Sequence, residues 1–523
     1  MPSTMTKNRL RRSVASPLLA LTLTWFGLLV GYGTIFPLFE APDELAHLDL
    51  VLFHEQSSPL TFLNDDRELA AEAIDGSRRS GFNHDPRLEA AATPAGQRPS
   101  FEDLATGADT DSINRAVQNP PLYYWTIGTG AAAVDWVLPG DAVSAFDRKA
   151  TLYRFLAAVF LLPVPYLFAL IARELGARQE GQTIAAFVPL LIPQLAHIGG
   201  ALNNDDGTIV SVSLLTIFCL RIAKGALTPS LAFLTGLTFG ISALFKGTAL
   251  PLGMTVALAL LWWSWREKTI PFRAGALVAV GSLVGGGWFW IRSYLLYGQL
   301  LQPLPDTFPP DPTFEPRVRW YVEMWSTWMV QRFFGWFGYF DVLMPSWAIW
   351  LLFVVFVASL LLGVWACRRQ LMLWIITMSP IAATGIVLFA TTFSFYRSTG
   401  VTAGIQGRYL FLGLGGVAAT MGLGLELLAN RSRHAFEAIM VGLGLLAIVV
   451  HVVAVRLVLD QYWEGDSWRA ELATLGAWAS YGATPTYLVL ATAALLVLSV
   501  VPIVILLGRG ADAGTSRPIA RRA

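Results

Sequence analysis

The feature that most limits what this chain can fold into is the repetition of apolar runs long enough to cross a bilayer. They fall at roughly 16–38, 150–172, 182–201, 207–223, 230–246, 249–265, 273–295, 346–366, 371–391, 408–428, 436–457 and 485–508. A run of about 20 apolar residues matches the hydrocarbon core as a helix. In lipid every backbone N–H and C=O must pair within the protein, so only helices or closed barrels can span. No alternating ten-residue strand pattern recurs, which argues against a barrel. Charged residues make up only 14% of the chain, where a soluble domain carries roughly 25%. The expected fold class is an all-α integral membrane protein with about 12 transmembrane helices.

Lys and Arg in the short loops set the expected orientation. The clusters Arg173/Arg178, Arg221/Lys224, Arg266/Lys268/Arg273, Arg368/Arg369, Arg431/Arg433 and Arg517/Arg521/Arg522 fall after every second run. Twelve spans with both termini cytoplasmic place all of them inside, in a multi-pass cell (plasma) membrane protein. Residues 122–139 are apolar enough to suggest a further crossing, but that would move every later basic loop outside. A helix lying on the outer membrane face is the better reading. The first run follows Lys7, Arg9, Arg11 and Arg12; it is long enough to span and no small-residue cleavage site follows, so a signal anchor is expected.

The chain then divides into a cytoplasmic N-terminus (1–15), a transmembrane region (16–428), further transmembrane helices (429–508) and a cytoplasmic basic tail (509–523). Outside the membrane lie a loop at about 39–149, an aromatic loop at about 296–345 and a shorter piece at 458–484. Between residues 39 and 120 there are 16 Asp and Glu against 6 Lys and Arg, a balance consistent with export. The net charge of +1 leaves no basic field for nucleic acid. Cys219 and Cys367 lie at cytoplasmic ends of apolar runs, where a structural disulfide is not expected and zinc-ligand spacing is absent.

Polar motifs gather on the outer side. Just after the first run stands Phe39-Glu40-Ala41-Pro42-Asp43-Glu44-Leu45-Ala46-His47. Pro42 disfavours helix before it and Asp43 suits an N-cap. In a helix starting there, Glu44 and His47 share a face. Two adjacent carboxylates and a His suit a general base or a divalent-cation site, and equally a capped juxtamembrane helix. Gln118-Asn119-Pro120-Pro121-Leu122-Tyr123-Tyr124 launches the surface helix, and its tyrosines suit an interfacial anchor. Asn203-Asn204-Asp205-Asp206 stands at the outer end of the third run; one acid there is ordinary capping, but capping does not require two.

Lys246, Arg292, Arg397 and Arg408 fall at outer ends of runs, against the usual bias. Snorkelling to headgroups explains any one of them. Four beside a carboxylate cluster suggest a phosphate site next to an acid site, with Arg giving bidentate contacts and Lys a point charge.

The order PDELAH, NPPLYY, NND and QGRYLF, spread over roughly residues 20–410, resembles the GT-C superfamily of membrane glycosyltransferases. It looks most like a bacterial branch of unknown function that carries a PDEPAH-type motif, and is more distantly similar to protein O-mannosyltransferases and lipid A aminoarabinose transferases. The resemblance implies juxtamembrane helices in the first outer loop and a polyprenyl-phosphate-linked sugar as donor on the outer face. It implies a glycan, lipid or protein acceptor whose hydroxyl is activated by an acid in that loop, with inversion at the sugar carbon. Asp43 matches that acid, with Glu44 beside it. Lys246 and Arg408, and more weakly Arg292, match positions that hold the lipid phosphate. His47, Asn119, Asn204 and Asp205 fall near the acceptor or a possible divalent cation. This chain departs from the pattern at Asn119, where the family has His, and at the doubled Asp205-Asp206.

Two other functions fit some of these features. A transporter or flippase of lipid-linked sugars would place ionisable residues and broken helices near the midplane, whereas here the acids gather at one face. An O-antigen-ligase-like enzyme would carry a large basic outer loop, and the loop here is acidic.

Overall fold

The computed structural model describes residues 4–56, 68–79, 95–100, 103–104, 114–137, 145–300 and 308–513, with side chains from residue 17 to residue 507. Most of the basic tail, from residue 514 on, lies outside the described residues.

The architecture is a helical membrane bundle. Ten helices among the described residues are long and apolar enough to cross a bilayer: Pro17–Ile35, Phe146–Glu174, Asp205–Ala223, Gly247–Glu267, Phe272–Tyr297, Ser346–Arg369, Leu371–Thr399, Gly407–Ala429, Arg433–Tyr462 and Ala483–Leu507. The other two apolar runs differ from simple spans for local reasons. The run at 182–201 forms Gln179–Leu191 and Pro193–Gly199, bent by 71°. Pro193 has no N–H to continue the ladder and its ring obstructs the preceding turn. Counted as one broken span, this pair makes eleven. The run at 230–246 forms Pro229–Phe245, 17 residues, or about 26 Å at 1.5 Å per residue, slightly less than the ~30 Å core. It packs closely all the same. A Cβ on Gly236 would lie 2.0 Å from the Val278 carbonyl oxygen, and one on Gly281 2.3 Å from that of Phe233. Small residues let helices approach in this way where lipid supplies no hydrophobic drive.

Asp205–Ala223 and Gly407–Ala429 are the most enclosed spans, 78% and 83% buried. The helices that begin with Asp205 and with Gly407-Arg408 therefore run through the middle of the bundle, and their first residues meet the segment after the first span. That segment has a core of its own, with Leu48, Val51, Tyr123, Tyr124, Ile127, Phe146 and Tyr153 buried together.

Its helices are Glu44–Gln56, Ala71–Arg79 and Leu122–Val137. Leu122–Val137 packs on Glu44–Gln56 and is not among the spans. Asn114 holds the entry to it. Its Oδ1 accepts the Ala116 N–H at 2.9 Å, and its Nδ2 donates to the Ala46 carbonyl at 3.0 Å and to Asp49 Oδ2 at 2.6 Å. This cap, followed by Pro120 and Pro121, fixes where Tyr123 and Tyr124 enter the core.

The aromatic segment contains the helix Val318–Phe334 and a short antiparallel pair, with Trp336 opposite Leu343 and Phe337 opposite Val342. Trp468–Trp478 forms a helix before the last span. Cys219 and Cys367 are both buried and free.

Candidate functional site

The chain leaves the first span at Ile35 and turns sharply before the next helix. Pro37 and Pro42 prevent helix here, and Phe39 and Asp43 adopt positive φ, 73° and 66°. Left-handed backbone costs a non-glycine residue roughly 1–2 kcal/mol, with Asp more tolerant than most. Asp43 still holds the N-cap place, since its carbonyl accepts the His47 N–H at 3.0 Å. Its carboxylate does not cap the helix. It reaches out to Arg408, whose Nη2 donates to Asp43 Oδ2 at 2.7 Å and whose Nη1 lies 3.4 Å from the Pro42 carbonyl.

Arg408 also faces a second acid, with its Nε 3.9 Å from Asp205 Oδ2. Lys246 Nζ donates to Asp205 Oδ1 at 2.6 Å. Both cations stand over the Tyr409 ring, Lys246 at 4.8 Å and Arg408 at 5.6 Å from its centre. Two carboxylates and two cations thus alternate, from four distant parts of the chain. Asp205 and Arg408 open the central helices, Lys246 ends Pro229–Phe245, and Asp43 comes from the first connecting segment. Asp43 is 46% exposed, while Arg408, Asp205 and Lys246 are at most 10% exposed. Burial raises the Asp43 carboxyl's pKa, but the Arg408 guanidinium, His47 and Lys246 outweigh it and hold the group below its ordinary value. Asp43 is therefore ionised at neutral pH.

Glu44 has a different environment. Its two oxygens accept from Arg154 Nε and Nη2, both at 2.6 Å, from the Phe39 N–H at 2.8 Å and from the Leu202 N–H at 3.1 Å. The remaining Arg154 donors go to the Gly33, Phe36 and Pro37 carbonyls. Four donors saturate the Glu44 carboxylate, so its place is that of a strut fixing the 33–44 turn to Leu202 rather than an available base. The sequence reading put it beside Asp43 in function; the buried ion pair separates the two roles. Arg154 was missed, although a lone Arg in an otherwise apolar span is itself a signal.

His47 Nδ1 shares a hydrogen bond of 2.8 Å with the Tyr124 hydroxyl. Burial, ahead of the opposing charge of Asp43, lowers the imidazole's pKa to about 4, so it is neutral at physiological pH. Asn119 ends the 3-10 turn Arg115–Gln118 and interacts with the same Tyr124 hydroxyl. Tyr123 accepts the Asn203 N–H at 2.9 Å, and Asn203 Oδ1 caps the Asp205 N–H at 3.0 Å. The NPPLYY and NND motifs therefore meet through these two tyrosines. Asn204 donates to the Phe245 carbonyl at 3.3 Å, next to Lys246. Asn204 Oδ1, Asp205 Oδ2 and both Asp206 oxygens are buried and have no hydrogen-bond partner among the described residues.

Arg292 lies on Trp288–Tyr297, half-exposed, and Arg397 is exposed near the end of Leu371–Thr399. The structure joins Lys246 and Arg408 to Asp43 and Asp205, and puts Arg292 and Arg397 on separate helices. Arg332, which was not singled out, lies beside the site. It donates from Nη1 to the Ile405 carbonyl, and its guanidinium is within 4.2–4.7 Å of the Phe340, Trp328 and Trp336 ring centres. Its helix touches Gly407 so closely that a Cβ there would meet the Phe333 nitrogen at 2.4 Å.

A divalent cation does not fit this arrangement. Asp43 is paired with Arg408, and Asp205 is paired with Lys246 and faced by Arg408, so both carboxylates already hold cationic partners. Among the described residues no group of three or more His, Cys, Asp or Glu is placed to hold a metal ion.

Several solved structures are similar to this chain over most of its length. ArnT from Cupriavidus metallidurans in the apo state is 13% identical, with 97% of this chain and 78% of that chain covered and a TM-score of 0.48. The same protein bound to undecaprenyl phosphate gives 15%, 95%, 75% and 0.45. The Archaeoglobus fulgidus oligosaccharyltransferase in complex with Zn and sulfate is 11% identical, with 82% and 54% covered and a TM-score of 0.37. No curated protein matches the sequence. A family model described as "Predicted membrane protein (DUF2142)" matches residues 26–412. That stretch runs from the first span to the Arg408 helix and contains all four charged residues of the site, and the chain belongs to the DUF2142 family of predicted membrane proteins.

Proposed function

We propose that the protein is a GT-C-type membrane glycosyltransferase. It moves a sugar from a polyprenyl-phosphate donor to an acceptor hydroxyl on the extracytoplasmic face, in cell-envelope glycan synthesis, with both termini in the cytoplasm. The observation that carries this reading is the meeting of an exposed, ionised carboxylate, Asp43, with two buried cations, Lys246 and Arg408. The motif resemblance set out above supports it.

In this mechanism Lys246 and Arg408 bind the donor's phosphate and stabilise the charge that develops as the sugar–phosphate bond breaks. Asp43 takes the acceptor's proton as its oxygen bonds to the anomeric carbon. The phosphate departs with the bonding electron pair, and inversion follows from attack opposite the leaving group. Arg408 cannot serve both anions fully. The arriving phosphate draws it from Asp43, whose pKa then rises towards the ordinary range and makes it a stronger base. Glu44 and Arg154 fix the turn that holds Asp43, and the aromatic segment around Trp328 and Trp336 covers the sugar and limits hydrolysis. No step is assigned to a metal ion.

The test is transfer of labelled sugar from a panel of polyprenyl-phosphate donors by purified protein. Asp43→Asn, which keeps the side chain's shape, is expected to lower transfer by about 10²–10⁴-fold while the protein still expresses and still binds the donor at least as tightly. Wild-type rates in that variant remove Asp43 from the reaction.

A second reading, translocation of lipid-linked sugars, has one specific observation in its favour. The broken span at Pro193 carries buried Gln194 and His197 and leads directly to Asn203–Asp206, and broken spans are frequent in transporters. Sugar-lipid movement across vesicles without any change of linkage would favour that reading.

A further inference from the structure

His47 stands one turn after Asp43, with its backbone N–H bonded to the Asp43 carbonyl. It is 3% exposed, and burial keeps its ring neutral, with a pKa of about 4. A neutral imidazole carries one ring proton, on Nδ1 or on Nε2. Which nitrogen holds it follows from the partner of the other. Here the hydrogen bonds around Tyr124 decide.

The Tyr124 hydroxyl has a single proton to give, and the residue is fully buried. Two side chains meet its oxygen, His47 through Nδ1 at 2.8 Å and Asn119. Burial raises the hydroxyl's pKa, and the hydrogen bond from Asn119 opposes that rise. Only an N–H given to the phenolic oxygen favours its ionised form, so Asn119 is a donor here. The Tyr124 proton is then left with one acceptor, His47 Nδ1, and a buried hydroxyl proton does not go unpaired. Nδ1 accepts, which puts the His47 proton on Nε2. The chain runs one way, from Asn119 to Tyr124 to His47. The Tyr124 and His47 rings lie 5.7 Å apart at 25°, and Tyr124 is packed with Val51 and Tyr123 in the core. The imidazole is thus held in orientation as well as in tautomer.

Nε2 makes no hydrogen bond to the described residues. Burial apart, the charges that act on the ring are Asp43, Lys246, Arg408 and Asp205, in that order, so the ring borders the four-charge site. Two of these groups can accept from an N–H. Asp205 is already held by Lys246. Asp43 gives its Oδ2 to Arg408, and its Oδ1 has no hydrogen-bond partner among the described residues.

We propose that His47 is the positioning residue of Asp43. When an arriving donor phosphate draws Arg408 away, the His47 Nε2–H bonds Asp43 Oδ1 and keeps the freed Oδ2 aimed at the acceptor hydroxyl. This rests on the sugar-transfer reading and supplies what that reading lacks, a partner that steadies Asp43 once Arg408 has left it. A neutral donor in place of a guanidinium keeps the carboxylate's direction while withdrawing less charge, so Asp43 becomes a stronger base without becoming mobile. His47 neither gives up nor takes a proton; the acceptor's proton passes to Asp43 alone.

The test combines NMR of the full-length protein in nanodiscs, with its histidines labelled with heavy nitrogen, and the transfer assay. The six histidines are told apart by the signals lost in His47→Asn or shifted in Tyr124→Phe. His47 is expected to show a bare Nδ1 and a protonated Nε2, and Tyr124→Phe should move part of the population to Nδ1–H. A protonated Nδ1 in the wild type overturns the proposal and leaves the role of Asp43 intact. In the transfer assay a Gln amide nitrogen falls where Nε2 was. An Asn side chain reaches only the Nδ1 position, where its oxygen still accepts from Tyr124. His47→Asn should lower kcat by about 10²-fold, the size of effect expected from a misplaced reacting group, with donor binding unchanged, and His47→Gln should recover much of the loss. If neither variant folds, Tyr124→Phe is expected to lower kcat several-fold, and an unchanged kcat there overturns the proposal. Asn performing as well as Gln means that His47 only supports Tyr124, and overturns it too. No transfer by the wild type from any donor overturns the sugar-transfer reading instead, and leaves the tautomer standing.

Discussion

Arg408 Nη2 stands 2.7 Å from Asp43 Oδ2, a contact between residues 365 positions apart in the chain. The pair is asymmetric, with a guanidinium that is 4% exposed and a carboxylate that is 46% exposed. Asp43 is held ready but not free, and whatever anion enters from the exposed side competes with it for Arg408. Asp43→Asn should therefore bind polyprenyl phosphate more tightly than wild type, by several-fold, while transfer falls about 10²–10⁴-fold, the range for loss of a general base. Isothermal titration beside a transfer assay checks both. Weaker lipid binding in this variant means that Asp43 and phosphate do not share Arg408.

Lys246 and Asp205 should behave as a unit. Lys246 is 10% exposed and bonded to a carboxylate that is 7% exposed, so Lys246→Ala leaves a buried acid without its nearest cation. Removing one partner of such a pair costs about 3–5 kcal/mol, whereas replacing both by well-packed apolar residues costs much less. A Lys246→Met/Asp205→Leu double variant is expected to melt closer to wild type than Lys246→Met alone, yet to have lost donor binding. Thermal unfolding in detergent, set beside lipid binding, separates the two effects.

Arg154→Met should destabilise the fold by a similar amount, about 3–5 kcal/mol, because Glu44 would keep two backbone donors and lose its countercharge. Glu44→Gln removes the charge but keeps the shape and should be milder. If Glu44 acted as the base instead, Glu44→Gln would abolish transfer with little loss of stability. Melting temperature and rate measured on the same preparations decide this.

Two buried groups near the turn give opposite pH dependence. Glu40 is raised to about 7, chiefly by burial and then by Asp341 and Glu44, with Arg154 opposing. A raised carboxyl favours the folded state fully below its unfolded value of 4.5 and loses that contribution as pH climbs through 7, roughly 3 kcal/mol over the window. His47 is depressed to about 4, so its contribution is present above 6.5 and is lost as pH falls towards 4. Glu40→Gln should flatten the loss of stability between pH 5 and 8 and leave the acid side unchanged. A wild-type profile that stays flat to pH 8 contradicts the assignment.

Arg332 is boxed by Trp328, Trp336 and Phe340 and bonded to the Ile405 carbonyl, three residues before Arg408. Burial lowers its pKa to about 10, which leaves it charged at neutral pH. Cation–π contacts are worth about 0.5–2 kcal/mol each, so Arg332→Ala should cost on the order of 1–3 kcal/mol. It should also weaken lipid-phosphate binding through a shift of the 405–408 segment. Arg332→Lys, which keeps the charge but not the planar fork, is expected to recover only part of the binding, as read by the lipid's Kd.

Much of the fold was legible because a lipid solvent imposes a plain rule, and hydropathy alone places ten spans, most of them within a few residues and one, Leu371–Thr399, eight residues short at its end. Two runs did not obey it. Pro193 breaks one into a 71° bend, and the other ends after 17 residues where Lys246 turns extended, so neither geometry follows from apolar length. At the site, Asp43, Asp205, Lys246 and Arg408 stood out as charges at the ends of apolar runs. What each contacts was not legible, since Glu44 and Arg154 are separated by 110 positions and nothing local tells Glu44 from Asp43. Arg292 looks the same as Lys246 in sequence, a cation at the end of a run, yet it lies half-exposed on Trp288–Tyr297. Arg332 was hidden among aromatic residues, where an Arg reads as surface decoration until three rings are seen around it.

The most direct measurement is an experimental structure of the protein with polyprenyl phosphate bound. The phosphate is expected against Lys246 and Arg408, within about 3 Å as charge-assisted hydrogen bonds require, with the Asp43 carboxylate released from Arg408 and facing the same space. A phosphate bound elsewhere, with the Arg408–Asp43 pair still closed, would contradict this arrangement.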